Sequence, residues 1–280
     1  MYRRTRIKRA NAAAAALLLG LITGCASLDG AATAPVAGLQ ASYALAGAGK
    51  PTVVFESGLG DGKGSFAEVF ADLQADTSVF AYDRPGYGGA GSFAADADGA
   101  RTGEEVAQHL HALLAAAGVK PPYLLAGHSI GGLYILSFAK LYPDEVAGLV
   151  LVDGRPAGFT AACEASRSGL CTPPDAMIAL FPANQKAEFR GVAATEAFAA
   201  RPEDLGDIPV TVISAGKAPA MVAGAFQPIW EAMQQDFADR ARQGRYVLAE
   251  RQQHYVHQEN PRLVAAEIRR LLAQAAAPGT

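Results

Sequence analysis

From about residue 40 onward, short apolar runs alternate with longer stretches in which apolar residues recur every three or four positions. Leu39–Ala46 and Thr52–Glu56 read as strands and Ser65–Leu73 as a helix. Ser78–Tyr82 reads as a strand ending in the turn Asp83-Arg84-Pro85-Gly86-Tyr87-Gly88. A helix is predicted from Thr102 to about Ala117, with Thr102 and Glu105 at the spacing of a capping box. Tyr123–Ala126 is a short apolar strand followed by a helix over Ile130–Tyr142. Ala147–Val152 is an unbroken apolar run, the mark of a strand buried on both faces. The pattern breaks over residues 154–206, which carry Gly, Pro, two cysteines and short helical pieces. It resumes with a strand at Val210–Ser214, a helix at Val222–Arg242 bent or interrupted by Pro228, a strand at Tyr246–Ala249 and a helix at Pro261–Ala275 capped by Asn260. Strands separated by helices imply the α/β class, a mostly parallel sheet covered by helices on both faces. The irregular block reads as an insertion over one edge, and no internal repeat is visible.

Composition changes this picture little until the first residues are considered. The 280 residues are 50% apolar and 18% charged, enough to bury a sizeable core and too apolar for generic disorder. The net charge of −3 argues against a nucleic-acid partner. Arg3, Arg4, Arg6, Lys8 and Arg9 precede an apolar stretch, Ala12–Ile22, that is too short to span a membrane and has the length of a signal-peptide core. It runs into Ile22-Thr23-Gly24-Cys25, which resembles the bacterial lipobox. That resemblance implies a signal peptide at residues 1–24 and acyl chains, palmitate among them, on Cys25. A flexible tether rich in Ala, Gly, Ser, Thr and Pro would follow over residues 25–39, then a folded domain over residues 40–280. An ordinary secretory signal and a buried Ala-rich helix are the alternatives for the same stretch. Loss of the five basic residues would move the net charge from −3 to −8. Lipidation would make a membrane the partner, on the cell envelope. Ala26 in place of Asp resembles sorting to an outer membrane if the host is Gram-negative. Exported thiols oxidise, so Cys163 and Cys171 are expected to form a disulfide that closes the irregular block.

Gly127-His128-Ser129-Ile130-Gly131 fits G-x-S-x-G and lies between an apolar strand and a helix, where a sharp turn would lift the serine above the sheet. Four segments in order carry a wider likeness: Glu56-Ser57-Gly58-Leu59-Gly60, Asp83 to Gly88, Gly127 to Gly132, and His254-Tyr255-Val256-His257 before Pro261. With these the chain resembles the α/β-hydrolase fold superfamily over about residues 40–275, with an inserted cap at about residues 154–206, after strand 6. The resemblance implies Ser129 as nucleophile and His254 as general base and acid. Asp153, at the end of Ala147–Val152, is expected as the acid that orients His254. The commoner position, after Val210–Ser214, holds no carboxylate, and Glu231, Asp204 and Asp207 remain as alternatives. The backbone N–H groups of Leu59 and Ile130 are expected to form the oxyanion hole, with Asp83 and Arg84 bracing that loop.

His128, inside the elbow, is expected to point away from the serine, while His109 and His111 read as surface or packing residues. His257 reads as structural or pocket-rim, and His254-x-x-His257 lacks a third ligand, so neither metal nor cofactor is implied. Phe159, Met177, Ile178, Leu180, Phe181 and Phe189 would make the cap an apolar lid, with Trp230 beneath it. The expected activity is hydrolysis of a small-molecule ester. Amide, C–C bond or perhydrolase chemistry on the same residues, or a non-catalytic envelope lipoprotein, are the rival readings. Oligomeric state is unconstrained.

Overall fold

A computed structural model describes residues 28, 30–92, 99–166, 171–217 and 226–276. The expected signal segment, Cys25 and the start of the helix placed at Val222 lie outside them. Among the described residues the strands are β1 (Ala31–Val36), β2 (Leu39–Ala46), β3 (Thr52–Glu56), β4 (Val79–Asp83), β5 (Tyr123–His128), β6 (Val146–Val152), β7 (Val210–Ala215) and β8 (Gly244–Ala249). They form an eight-stranded sheet in the order β1-β2-β4-β3-β5-β6-β7-β8, antiparallel at β1–β2 and β2–β4 and parallel from there on.

The inner strands carry apolar residues on both faces, and their two-residue period sorts them into two cores. Val54, Phe80, Leu125, Leu149 and Val212 join one cluster with α2 (Gly103–Ala116) and α3 (Ile130–Leu141). Val53, Ala81, Leu124, Val150 and Ile213 join the other with α1 (Ala67–Leu73) and α9 (Pro261–Ala276). The Thr102 side chain and that of Glu105 close the capping box at the start of α2 as the spacing predicted.

Two expectations change. Residues 31–36, read as tether, form β1. Ala37 and Gly38 turn the chain with positive φ of 49° and 79°, pairing Ala31–Val36 along β2 and burying Ala34 and Val36 in the α2-side cluster. Pro35 is tolerated because β1 is an edge strand. The second change is Pro228, which does not interrupt a helix: it lies in the first turn of α7 (Gln227–Arg240), where no helical N–H is lost.

Between β6 and β7 the chain forms α4 (Phe159–Ser166), α5 (Asp175–Ile178) and α6 (Ala183–Phe198). Cys163 and Cys171 are joined by a disulfide. Phe159 and Cys163 pack with Trp230 of α7, and Gly191 of α6 lies against the segment just before α2, where any Cβ would collide with the Arg101 carbonyl. Leu180 is 85% exposed, so its side chain covers nothing, while Phe181 stacks on Phe189 at 5.3 Å. After β8 come α8 (Val256–Glu259) and α9. No described helix is long and apolar enough to cross a membrane.

Candidate active site

In a parallel sheet the strand ends at one edge, and the loops that follow them, make the natural crevice for a ligand. The segments singled out by sequence meet there. β5 lies between β3 and β6, so its elbow is flanked on one side by the loop after β3 and on the other by the end of β6.

Ser129 ends β5 and caps α3 with φ 54° and ψ −122°, a conformation that β-carbon-bearing residues avoid. The turn is permitted by what its neighbours lack. A Cβ on Gly127 would meet the Gly131 carbonyl oxygen at 2.5 Å, and a Cβ on Gly131 would meet the carbonyl oxygens of Glu56 and Ser57 at 2.5 and 2.7 Å. Gly131 thereby lets the N-terminus of α3, where Ile130 sits, close against the start of the Leu59 loop. Ser129 is half-buried, and its carbonyl accepts from the Arg155 N–H at 2.8 Å.

Asp153 follows β6, also at a positive φ of 41°. Its Oδ2 lies 2.6 Å from Nδ1 of His254. Its Oδ1 accepts from Ala215 N at 3.2 Å, Trp230 Nε1 at 3.1 Å and Gln234 Nε2 at 3.2 Å. Burial opposes the charge on Asp153, but the hydrogen bond and charge of His254, with the Ala215 and Trp230 donors, outweigh it and hold the carboxyl below its ordinary pKa. An ionised carboxylate at Nδ1 fixes the proton there and leaves Nε2 as the basic nitrogen. Asp204 and Asp207 instead pair with Arg201 and Arg242, and Glu231 lies in α7. Trp230 and Gln234, one helical turn apart on α7, were missed as carboxylate donors. Their i, i+4 spacing was the only sequence signal.

The elbow and the histidine loop also touch directly. His128 Nε2 lies 3.0 Å from the His254 carbonyl oxygen, and the two rings are 4.6 Å apart. His128 is buried and packs against the rings of His254, Tyr255 and His257. Among the described residues no hydrogen bond joins Ser129 Oγ to His254; the elbow meets the histidine loop through His128.

The Leu59 loop is held from beneath. Arg84, fully buried, donates to the carbonyls of Ser57 at 2.6 Å and Gly58 at 2.7 Å. Its remaining N–H groups reach Glu56 at 2.8 Å and Glu188 of α6 at 2.8 and 3.1 Å. Tyr82 donates to Glu56, Tyr87 to Glu188 at 2.9 Å, and Arg101 to Glu188 at 3.1 Å. Asp83 takes the Lys63 N–H at 2.8 Å. Bracing by Asp83 and Arg84 was legible, whereas Glu56 and Glu188 were not singled out as its partners. Removing the guanidinium leaves two buried carboxylates without their main partner. Arg84→Met should therefore lose about 3–5 kcal/mol of unfolding free energy in urea titration, partly recovered by adding Glu188→Gln; a loss under about 1 kcal/mol would show the network does not hold the loop.

His257 is buried against Phe66, ring centroids 4.2 Å apart, with Nε2 2.9 Å from Ser65 Oγ. Burial, then the charge of His254, lowers its pKa from 6.5 to about 3. The structural reading of His257 fits this position. Among the described residues no group of three or more His, Cys, Asp or Glu is placed to hold a metal ion.

A strained serine at the strand–helix turn, a histidine on a buried carboxylate and a braced glycine loop, all at one sheet edge, define an α/β-type hydrolase. The sequence matches the family described as alpha/beta hydrolase fold over residues 51–232, and the chain belongs to that family. It is 28% identical over 216 residues to the uncharacterized protein YqjL of Bacillus subtilis, covering 76% of this chain and 80% of that one. It is 34% identical over 123 residues to RutD of Azorhizobium caulinodans, provisionally named a carbamate hydrolase, covering 43% of this chain and 44% of RutD. A thermophilic esterase from Thermogutta terrifontis superposes with a TM-score of 0.60 at 19% identity, covering 88% of this chain and 99% of the esterase. At that identity the likeness is one of fold.

The neutral burial of His257 has a signed consequence. Its folded pKa of about 3 lies below its ordinary 6.5, so between those values the unfolded chain binds a proton that the folded one excludes. Its contribution is fully present above the ordinary value and declines as pH falls, by about 1.4 kcal/mol per pH unit. Urea unfolding from about pH 7 to about pH 5 should show a slope shallower by about one proton in His257→Gln. An unchanged slope would show that His257 is not held neutral.

Proposed function

We propose that this protein is a serine hydrolase that cleaves a small or medium apolar carboxylic ester through an acyl-enzyme on Ser129. The observation that carries the reading is the 2.6 Å hydrogen bond between Asp153 and His254, on a loop that meets the elbow of a serine held at φ 54° through His128. His254 Nε2 takes the Ser129 hydroxyl proton as Oγ bonds to the substrate carbonyl carbon. The charge that moves onto the carbonyl oxygen is received by the N–H groups of Leu59 and Ile130. Collapse of this intermediate expels the alcohol, which leaves with the proton from His254. Water, deprotonated by His254, then attacks the acyl-enzyme, and release of the acid returns Ser129 to its hydroxyl form. Asp153 stays ionised throughout and stabilises the imidazolium.

Esters are preferred over amides because the fold neighbour from Thermogutta terrifontis is an esterase and the segment between β6 and β7 is rich in apolar side chains. Carbamate or amide cleavage is the second reading, favoured by the likeness to RutD over its matched part. C–C bond hydrolysis and perhydrolysis use the same residues. The envelope location rests on the N-terminal sequence alone: a signal at residues 1–24, diacylation of Cys25, and a lipid-held enzyme on the cell envelope, on an outer membrane if the host is Gram-negative.

Fluorophosphonate labelling should mark wild type and spare Ser129→Ala; equal labelling would remove Ser129 from the nucleophile role. On a panel of esters, amides and carbamates of increasing acyl length, Asp153→Asn should lower kcat by orders of magnitude, toward about 10⁴-fold. Near-normal turnover would place the acid elsewhere.

For the anchor, the full chain should partition with membranes and Cys25→Ser should not. Retention of the variant on membranes would count against lipidation.

A further inference from the structure

Asp61 lies in the same loop as Leu59, with its side chain 23% exposed and its Oδ2 buried. That oxygen has no hydrogen-bond partner and stands 3.8 Å from Nδ1 of His128, which is buried without a partner as well. The tautomer of His128 follows from its other nitrogen. Nε2 lies 3.0 Å from the His254 carbonyl oxygen, and a carbonyl only accepts. Nε2 therefore carries the hydrogen, and neutral His128 turns a lone pair on Nδ1 toward Asp61. If Asp61 were ionised, two acceptors would face each other out of contact with water. Leaving both atoms unpaired there is unfavourable by about 1–3 kcal/mol each. A single proton resolves the conflict, because a protonated carboxyl donates to Nδ1.

We propose that Asp61 and His128 hold one proton between them, resident on Asp61, and that the chain Asp61–His128–His254 carbonyl positions the histidine loop against the nucleophile elbow. This rests on the assignment of His254 as the base. Asp61 is then a positioning residue, acting on His254 through the residue that precedes the nucleophile. The surroundings agree with the direction of the proton. Burial raises the Asp61 pKa above its ordinary 3.8 and outweighs the opposing influence of Arg84, His254 and the hydroxyls of Tyr255 and Ser65. Burial, with the nearby His257 and His254, drives His128 well below its ordinary value. Gly58 makes the approach feasible: a Cβ there would sit 2.6 Å from His128 Nδ1 and 3.2 Å from Asp61 Oδ2. The 3.8 Å separation exceeds a closed hydrogen bond, and sharing the proton requires the two atoms to approach to the usual range of about 2.7–3.2 Å.

The test uses the resting full-length protein first. Difference infrared spectroscopy of wild type against Asp61→Asn at neutral pH should show a protonated-carboxyl stretch lost in the variant, and ¹⁵N shifts of His128 should report hydrogen at Nε2. Neither readout depends on substrate or on Ser129, so failure of the ester assignment leaves this result standing. Kinetics then ask whether the chain matters. Asp61→Leu, checked for an unchanged thermal midpoint, should lower kcat about 3- to 10-fold, one hydrogen bond's worth, with KM little changed. Asp61→Asn, whose amide donates to Nδ1 at any pH, should restore most of that loss. It should also remove the decline that wild type shows as Asp61 ionises. Absence of the carboxyl band at neutral pH, hydrogen at Nδ1 of His128, or equal losses in the Asn and Leu variants would each overturn the proposal.

Discussion

The site depends on a buried guanidinium. Arg84 is 1% exposed, and its N–H groups are divided between two carboxylates and the carbonyls of Ser57 and Gly58. A charge this deep is tolerable only because Glu56 and Glu188 pair with it and every contact is a charge-assisted hydrogen bond. The loop that carries Leu59 is thereby anchored through the carbonyls of Ser57 and Gly58. Arginine suits this place because its planar fork reaches several acceptors at once, which a lysine ammonium does not. Glu188 comes from α6 and Glu56 from the end of β3. The helical segment between β6 and β7 is therefore tied electrostatically to the loop beside the serine, in addition to its packing on α2.

The opposite wall is built by another rule. Asp153 accepts four hydrogen bonds from three segments: one from β7, two from α7 and one from the histidine loop. Three of those donors meet Oδ1 and leave Oδ2 for His254 alone. The carboxylate cannot rotate without breaking them, so the imidazole it holds is oriented by the sheet edge and by α7 together. Rigid carboxylate on one side and braced loop on the other leave the half-buried Ser129 between two fixed walls.

These features differ in how far they could be read from sequence. Strand periodicity and the capping box at Thr102 are set by neighbours within a few residues, and the elbow glycines carry a compact local motif, so local pattern was enough to find them. β1 was missed because Ala, Thr and Pro have little strand character; it exists through pairing with β2 and burial of Ala34 and Val36 against α2. Asp153 was an open choice because its partner is 101 residues away, and only the parallel alignment of β6 with β7 shows which carboxylate arrives. Glu56 and Glu188 look like ordinary surface acids in sequence. Their burial is decided by Arg84, which no periodicity announces.

Three histidines crowd the base of the site, with His128 4.6 Å from His254 and 4.4 Å from His257. Protons on neighbouring rings this close would repel one another. Burial prevents this by keeping His128 and His257 neutral. His254 differs in having an exposed edge and a carboxylate on Nδ1. The neighbouring rings supply shape and hydrogen bonds as neutral groups, and under the proposed mechanism the same burial that makes them acid-sensitive in the fold suits them to flank a base.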